Sequence, residues 1–432
     1  MTTDPTGPIF ISYRQEDGTA IAAELAWLLR AAGLPVWRDR DDLPPGDTQN
    51  RLIQAISAGI SGAVLVVTPD IINSKVVKTV EAPGLLELHR TQPQFALAIA
   101  NAVDTEDSSP DYTAPDALLD VKPGILTGVD QHPTDRAGLL HIVHKLLWHR
   151  AANHRARISD TDTCELSVQT RNVPQSYDST ASAFDIRVRP SEHERLPSAE
   201  GLNDLRDTIA FLPDAVTRTA AQRVRIRGGA HLCVAFTLGA ALPSTRIGHI
   251  EVIDQRGKSW TSSGDASVSM PPHIYIQNQS VNGVPIASGR RAVAIYLDLM
   301  PDTSEAAFER YLEGNRQDLS AWQHLRSTGG DLLDNSIAGA IAAEAAARIR
   351  TLANDHANAE VHLLLRCPFA LAILLGRLTN TLRVVIYEWD DSDHGLDNAG
   401  RPRYLPALRI RASAPAGAVD EVLLTRDIDE QG

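Results

Sequence analysis

Pro8-Ile9-Phe10-Ile11-Ser12-Tyr13-Arg14, followed by an amphipathic run, Val36-Trp37-Arg38-Asp39 and Pro44-Pro45-Gly46, is the stretch that decides the fold. A short apolar strand passes straight into a polar loop of Ser12, Tyr13, Arg14, Gln15, Glu16 and Asp17. The next segment places Ile21, Leu25, Leu28 and Leu29 on one helical face, and a second strand ends in another charged loop. Strand, helix and strand in this order read as an open α/β sheet, whose ligands bind beyond the carboxyl ends of the strands. Two charged loops at adjacent strand ends predict a ligand site near the amino terminus.

The alternation continues outward. Strands are expected at 9–12, 35–38, 62–68 and 95–99, and helices at 19–32, 48–58, 76–89 and 135–150. That pattern predicts a parallel, doubly wound sheet. The polar run 104–115 reads as a surface loop inside it, and the polar stretch 151–163 marks the end of a first domain.

The remainder holds an internal repeat. Val224-Arg-Ile-Arg-Gly-Gly-Ala-His-Leu-Cys-Val-Ala-Phe-Thr-Leu-Gly239 is echoed by Val361-His-Leu-Leu-Leu-Arg-Cys-Pro-Phe-Ala-Leu-Ala-Ile-Leu-Leu-Gly376, at an offset of 361 − 224 = 137 residues. Each copy runs into a further strand, at 247–253 and 382–387, and then into a polar or acidic loop. Each half therefore reads as strand, small-residue turn, helix and strand, a Rossmann-like βαβ unit occurring twice. An Ala-rich helix at 336–352 belongs to the second half.

Composition narrows the class. A chain of 432 residues exceeds one ordinary core, and 43% hydrophobic with 22% charged residues is ordinary for a globular protein. The net charge of −13 argues against broad binding to DNA or to anionic membranes, while leaving room for a local basic pocket. Cys164, Cys233 and Cys367 lie far apart with no metal-ligand spacing, which fits a reducing compartment and no structural zinc. No signal segment or membrane-length apolar run is seen, so a soluble cytoplasmic protein is expected. Phosphate-loop, HExxH, GxSxG and dinucleotide-fingerprint motifs are absent from any supporting context. His141 and His144, three apart on a helix, read as ordinary surface or interface histidines.

FISYR, the Gly33-Leu34 turn, VWRD and LPPG resemble a TIR domain, whose first strand reads (F/I)xSY(R/S)xxD and whose second strand leads into a D…lxpG loop. The resemblance implies a flavodoxin-like fold over residues 1–155 and, in enzymatic members, cleavage of the nicotinamide–ribose bond of NAD+. That chemistry needs a carboxylate beside the sugar, because positive charge develops on the ribose as the bond breaks. The family's glutamate falls on Glu81, after Thr68-Pro69-Asp70-Ile71-Ile72-Asn73-Ser74. Lys75 and Val76 stand where the family often has tryptophan, which leaves Glu87 as a second candidate. Ser12, Tyr13 and Arg14 are candidates to hold an NAD+ phosphate, with Tyr13 alternatively a lid on the core. Trp37 either stacks on a ring of the nucleotide or packs in the core. Asp39 and the charged residues after it form the loop that, in the family, gates the site and meets the next subunit. Ser74 completes the NAD+-site candidates.

The repeat, with VHLLLRCPFALAILLGRL, Glu388-Trp389-Asp390-Asp391 and Tyr404-Leu-Pro-Ala-Leu, resembles a SAVED domain, two fused CARF-like Rossmann units that sense cyclic oligonucleotides. It would span 164–432, as halves of about 164–300 and 301–432. A messenger with several phosphates and bases needs cations, helix-start amides and stacking surfaces. Arg227, Gly228, Gly229, His231 and Lys258 from the first half, and Arg366, Cys367, Pro368, Phe369, Arg403 and Tyr404 from the second, are the candidates. Arg225, Arg401 and Trp260 are further ones, each with a surface or core alternative. The two resemblances together imply a bacterial antiphage (CBASS) effector. A cyclic oligonucleotide, a cyclic trinucleotide favoured, would drive self-association into an oligomer or filament and switch on NAD+ hydrolysis to nicotinamide and ADP-ribose. NAD+ would be the substrate, with no cofactor and no metal. The rival is a non-catalytic TIR scaffold assembled by the nucleotide.

Overall fold

The computed structural model describes residues 4–38, 59–170, 182–191, 195–262, 271–281, 292–329 and 332–425. Asp39, the charged loop after it and the helix expected at 48–58 lie outside these residues. The chain gathers into two compact units: Met1–Ser167 with Val173–Arg187 and Asp214–Ala221, and Val168–Asn172 with Val188–Pro213 and Gln222–Gly432.

In the first unit, β1 (Ile9–Ser12) leads to α1 (Gln15–Ala31), β2 (Val36–Arg38) and β3 (Gly62–Val67). A 3₁₀ turn (Pro69–Asn73) and a π turn (Val77–Glu81) precede α2 (Ala82–Thr91). Then come β4 (Ala96–Asn101), the short α3 (Ala114–Leu118), β5 (Asp130–Pro133) and the long α4 (Arg136–Ile158). The sheet order is β2-β1-β3-β4-β5, with every neighbouring pair parallel. This is the flavodoxin-like doubly wound order, with its switch point between β1 and β3. β1 and β3 are buried throughout, which explains why both read as unbroken apolar runs. Phe10, Trp37, Val77, Ala82 and Leu85 share one core cluster, so one face of β1 is covered by the segment leading into α2.

Next in the chain are β6 (Thr163–Gln169), β7 (Phe184–Arg187), α5 (Ala199–Ile209) and α6 (Leu212–Arg218). Part of this stretch returns to the first unit for identifiable reasons. Asp185 donates its backbone N–H to the Gly33 carbonyl at 2.8 Å. Buried Arg150 donates from Nε to the Ala183 carbonyl at 2.6 Å and from Nη1 to that of Gly7 at 2.9 Å. The Arg218 guanidinium lies 3.7 Å above the Trp148 ring. His144 meets Trp148 edge-on at 4.2 Å between ring centroids, and His141 lies 4.8 Å from His132.

The second unit repeats one motif. β8 (Arg223–Gly229), α7 (Leu232–Ala241) and β9 (His249–Ile253) form a parallel βαβ, with β10 (Ser259–Thr261) antiparallel beside β9. After β11 (Ile274–Val281), β12 (Ala292–Asp298), α8 (Ala306–Asn315), β13 (Leu319–Ser327) and α9 (Ala338–Asp355), the motif returns. Its second copy is β14 (Glu360–Arg366), α10 (Phe369–Gly376) and β15 (Val384–Asp390), again parallel, with β16 (Arg403–Ile410) antiparallel beside β15. A seven-stranded sheet runs β11-β13-β12-β14-β15-β16-β17, the last strand being Val419–Val422.

α7 and α10 are apolar on every side and accordingly buried. They pack on each other through glycines. A Cβ on Gly239 would lie 2.0 Å from the Ile373 carbonyl oxygen, and one on Gly376 would lie 2.1 Å from that of Phe236. The offset of 137 residues relates both Gly239 to Gly376 and Phe236 to Ile373. The contact is therefore reciprocal, as a two-fold between repeats requires.

Candidate functional site

Ser12 ends β1 and Glu81 ends the π turn that follows β3, so both stand at the switch point of the first sheet. Ser12 is 1% exposed and Glu81 6%. The Ser12 hydroxyl donates a hydrogen bond to Glu81 Oε2. The wide turn has a local cause. Pro83 has no N–H for the Thr79 carbonyl, and the turn closes instead from Ala82 N to the Val77 carbonyl. The chemistry available is a buried carboxylate held at a strand-end ligand position.

The other amino-terminal candidates divide. Tyr13 is buried with its Cβ packed on Gly18, the lid-like alternative. Arg14 pairs with Glu16 and, at 3.1 Å, with Asp17. Trp37 is buried 5.0 Å from the Phe10 ring, inside the core. Ser74 Oγ accepts from the Val77 N–H at 3.4 Å and so caps the turn leading to Glu81. Glu87 is exposed on α2 and pairs with Arg90 at 2.7 Å, away from Ser12.

In the second unit a cavity of about 560 Å³ opens at the carboxyl ends of β8 and β14. Gly228, Gly229, Lys258, Trp260, Cys367, Pro368 and Phe369 line it. Gly228 has φ +113°, and a Cβ there would lie 2.1 Å from the Val168 carbonyl oxygen, so glycine alone fits that strand end. Asp254 organises the loop after β9. Its carboxylate accepts from the backbone N–H of Arg256 at 2.8 Å and of Lys258 at 2.9 Å, and from Trp260 Nε1 at 3.0 Å. Desolvation opposes these bonds, but together they hold the Asp254 carboxyl below its usual range. The turn sets Arg256 and Lys258 at the cavity, which Met300, Leu332 and Phe369 also line.

Five candidates are placed elsewhere. Arg366 donates to Asp298 Oδ1 at 2.8 Å, and Arg326 takes the other oxygen of that fully buried carboxylate at 2.6 Å. Arg403 is likewise spent on buried Asp390, at 2.8 Å. Tyr404 is buried, its hydroxyl 3.4 Å from the Leu365 carbonyl, and burial raises its pKa. His231 precedes α7 and shares a 2.8 Å hydrogen bond with Thr170. Arg227 is exposed near the end of β8, outside the lining.

Comparison with known families fits this architecture. Residues 9–114 match the TIR domain model. Residues 204–410 match SAVED, described as an SMODS-associated sensor domain fused to various effectors. The chain is a TIR domain followed by a SAVED domain. Among solved structures, the Acinetobacter baumannii Cap4 SAVED/CARF-domain receptor with 2′3′3′-cAAA is similar at 11% identity and a TM-score of 0.44, over 95% of this chain and 99% of that one. The same receptor with 3′3′3′-cAAA gives 11% and 0.43, over 90% and 97%. The Moraxella osloensis Cap4 receptor gives 13% and 0.39, over 88% and 96%. A comparison with curated proteins finds no match.

Within the SAVED domain, sequence reading missed Arg256, Gln169, Met300, Leu332 and Leu333 in the lining. For Arg256 the signal was present, since it sits in the loop at a strand's carboxyl end. The others reach the cavity from distant segments that no local pattern links to it. Cys367 lines the cavity, and burial first, then Asp298 and Glu388, push its thiol up to about 12, which disfavours the thiolate. Glu388, buried on β15, accepts the Cys233 N–H at 2.9 Å and so occupies the positive amino end of α7. Among the described residues no group of three or more His, Cys, Asp or Glu could hold a metal ion, and no helix is long and apolar enough to cross a membrane.

Proposed function

We propose that this chain is an antiphage effector of the CBASS type, in which a cyclic oligonucleotide seated in the SAVED cavity switches on NAD+ hydrolysis by the TIR domain. The observation that carries the enzymatic part is the Glu81 carboxylate, buried against Ser12 at the strand-end switch point. As the bond from nicotinamide to ribose C1′ breaks, neutral nicotinamide departs and positive charge grows on the sugar. A carboxylate beside C1′ stabilises that charge, and water then adds to C1′ and loses a proton to solvent, giving ADP-ribose. The sensor part is supported by a cavity of ligand size that combines two cations, a glycine-lined strand end and aromatic or apolar walls. Binding promotes self-association, which brings TIR domains together and completes each site; NAD+ depletion then arrests the infected cell.

The test measures NAD+ loss by the full chain with a panel of cyclic di- and trinucleotides, comparing wild type with Glu81→Gln. A cyclic trinucleotide is expected to give the strongest activation. Glu81→Gln is expected to lose at least about 100-fold in turnover while binding the messenger unchanged. Messenger-induced assembly without NAD+ loss in the wild type would favour the scaffold instead.

A further inference from the structure

Side chains alternate across a strand, so Phe10 and Ser12 point to the same face of β1. Phe10 lies in the core beside Trp37, Val77 and Ala82, which places that face under the segment carrying Glu81. At the last residue of the strand the face turns polar, and there the Ser12 hydroxyl meets Glu81 Oε2. A carboxylate buried to this degree needs hydrogen-bond donors, and a serine that is 1% exposed supplies one from a fixed strand. The π turn strengthens the point. Glu81 projects from a wide turn, whereas Ser12 is anchored opposite Leu65 by the parallel pairing of β1 to β3.

We propose that Ser12 is the positioning residue for Glu81: its hydroxyl fixes the carboxylate at the switch point, rather than serving as a contact for an NAD+ phosphate. This rests on the NAD+-hydrolysis reading above and adds to it. The hydroxyl proton is committed to the carboxylate, so a phosphate oxygen has no donor to gain from this side chain. A carboxylate displaced by about 1 Å from the ribose would cost about 100-fold in the chemical step, with little change in how tightly substrate binds.

In messenger-activated full-length protein, Ser12→Ala is expected to lower kcat by about 10- to 100-fold with KM within about threefold. Ser12→Thr, which keeps the hydroxyl and suits a strand, is expected to restore kcat to within about fivefold. A raised KM with kcat intact marks a phosphate contact and overturns the proposal; unchanged kcat does so as well. A readout independent of turnover separates this inference from the enzymatic reading. Urea-unfolding midpoints are compared for Ser12→Ala, Glu81→Ala and the double variant. If the pair interacts, Glu81→Ala, which leaves the Ser12 hydroxyl no acceptor at this position, shifts the midpoint differently in the Ser12→Ala background, even in a protein that consumes no NAD+. Additive shifts overturn the Ser12–Glu81 link; wild-type inactivity with non-additive shifts removes the NADase reading alone.

Discussion

In the first repeat of the SAVED domain β9 runs into Asp254-Gln255-Arg256-Gly257-Lys258; in the second, 137 residues on, β15 runs into Asp391-Ser392-Asp393-His394-Gly395. The strands leading into these loops correspond, but the first loop closes at Lys258 before β10 whereas the second runs on to Pro402 before β16, and their charges have opposite sense. The internal carboxylates differ too. Glu388 reaches the amino end of α7, whereas Glu251, its repeat partner, turns to Arg225 at 2.6 Å and Ser259 at 2.6 Å. One helix start is thus met by a carboxyl supplied by the protein, while the start of α10 lines the cavity together with Arg256 and Lys258. Duplication supplied two equivalent frames; side-chain chemistry then made one inward-facing and structural and left the other lining the cavity proposed for the messenger.

The frame itself is the most sensitive point. Gly239→Ala and Gly376→Ala each push a methyl against a carbonyl oxygen of the opposite helix, and neither backbone has room to yield. Each is expected to destabilise the full chain by about 3 kcal/mol, read as a fall in the urea midpoint. Equal losses follow from a reciprocal contact, so a large loss at one glycine with none at the other breaks the symmetry between the repeats.

That symmetry was legible in the sequence because glycine spacing and apolar runs survive duplication. The strand at 9–12 was readable to the residue, as was the start of β3, since a buried parallel strand is an uninterrupted apolar run. β5 was not readable: Asp130-Gln-His-Pro133 is polar, part-exposed and at the edge of its sheet, so nothing apolar marks it. Charge was the least legible property. Arg366 and Arg403 looked like pocket cations because a sequence shows a charge without its partner; Asp298 and Asp390, 68 and 13 residues away, claim them. Glu81 was singled out only through a family pattern, and its link to Ser12 spans 69 residues of chain.

The carboxylates give the next largest contrast. Glu388→Ala leaves the buried Cys233 N–H without its acceptor and is expected to cost about 2 kcal/mol. Glu251→Ala removes a part-exposed pair and is expected to cost less than about 1 kcal/mol. Acid distinguishes this smaller effect. Burial works against the charged form of Glu251, but the Ser259 and Arg225 hydrogen bonds outweigh it and hold its carboxyl below the usual range. A carboxyl depressed in the folded state contributes stability above its unfolded pKa, about 4.3, and loses it as pH falls through the lower folded value. The deficit of Glu251→Ala should therefore be present at pH 7 and fade as the pH drops below about 4. A deficit that persists in acid would mean the side chain acts through packing instead.

The last contrast is read in ligand affinity rather than in stability. Lys258→Glu reverses a charge at the cavity without disturbing a buried partner, since the turn is held by its backbone N–H and not its ammonium group. Affinity for a cyclic trinucleotide is expected to fall about tenfold, equivalent to about 1.4 kcal/mol. Asp393→Lys, the reversal at the repeat equivalent of Arg256, is expected to change affinity less than about twofold, because Asp393 is exposed and outside the lining. Raising the salt should weaken wild-type binding more steeply than that of Lys258→Glu, since fewer counterions are released when one cation is lost. Equal salt slopes, or an affinity gain at Asp393→Lys as large as the loss at Lys258→Glu, would show that the ligand meets both loops and that the repeats divide its charge between them.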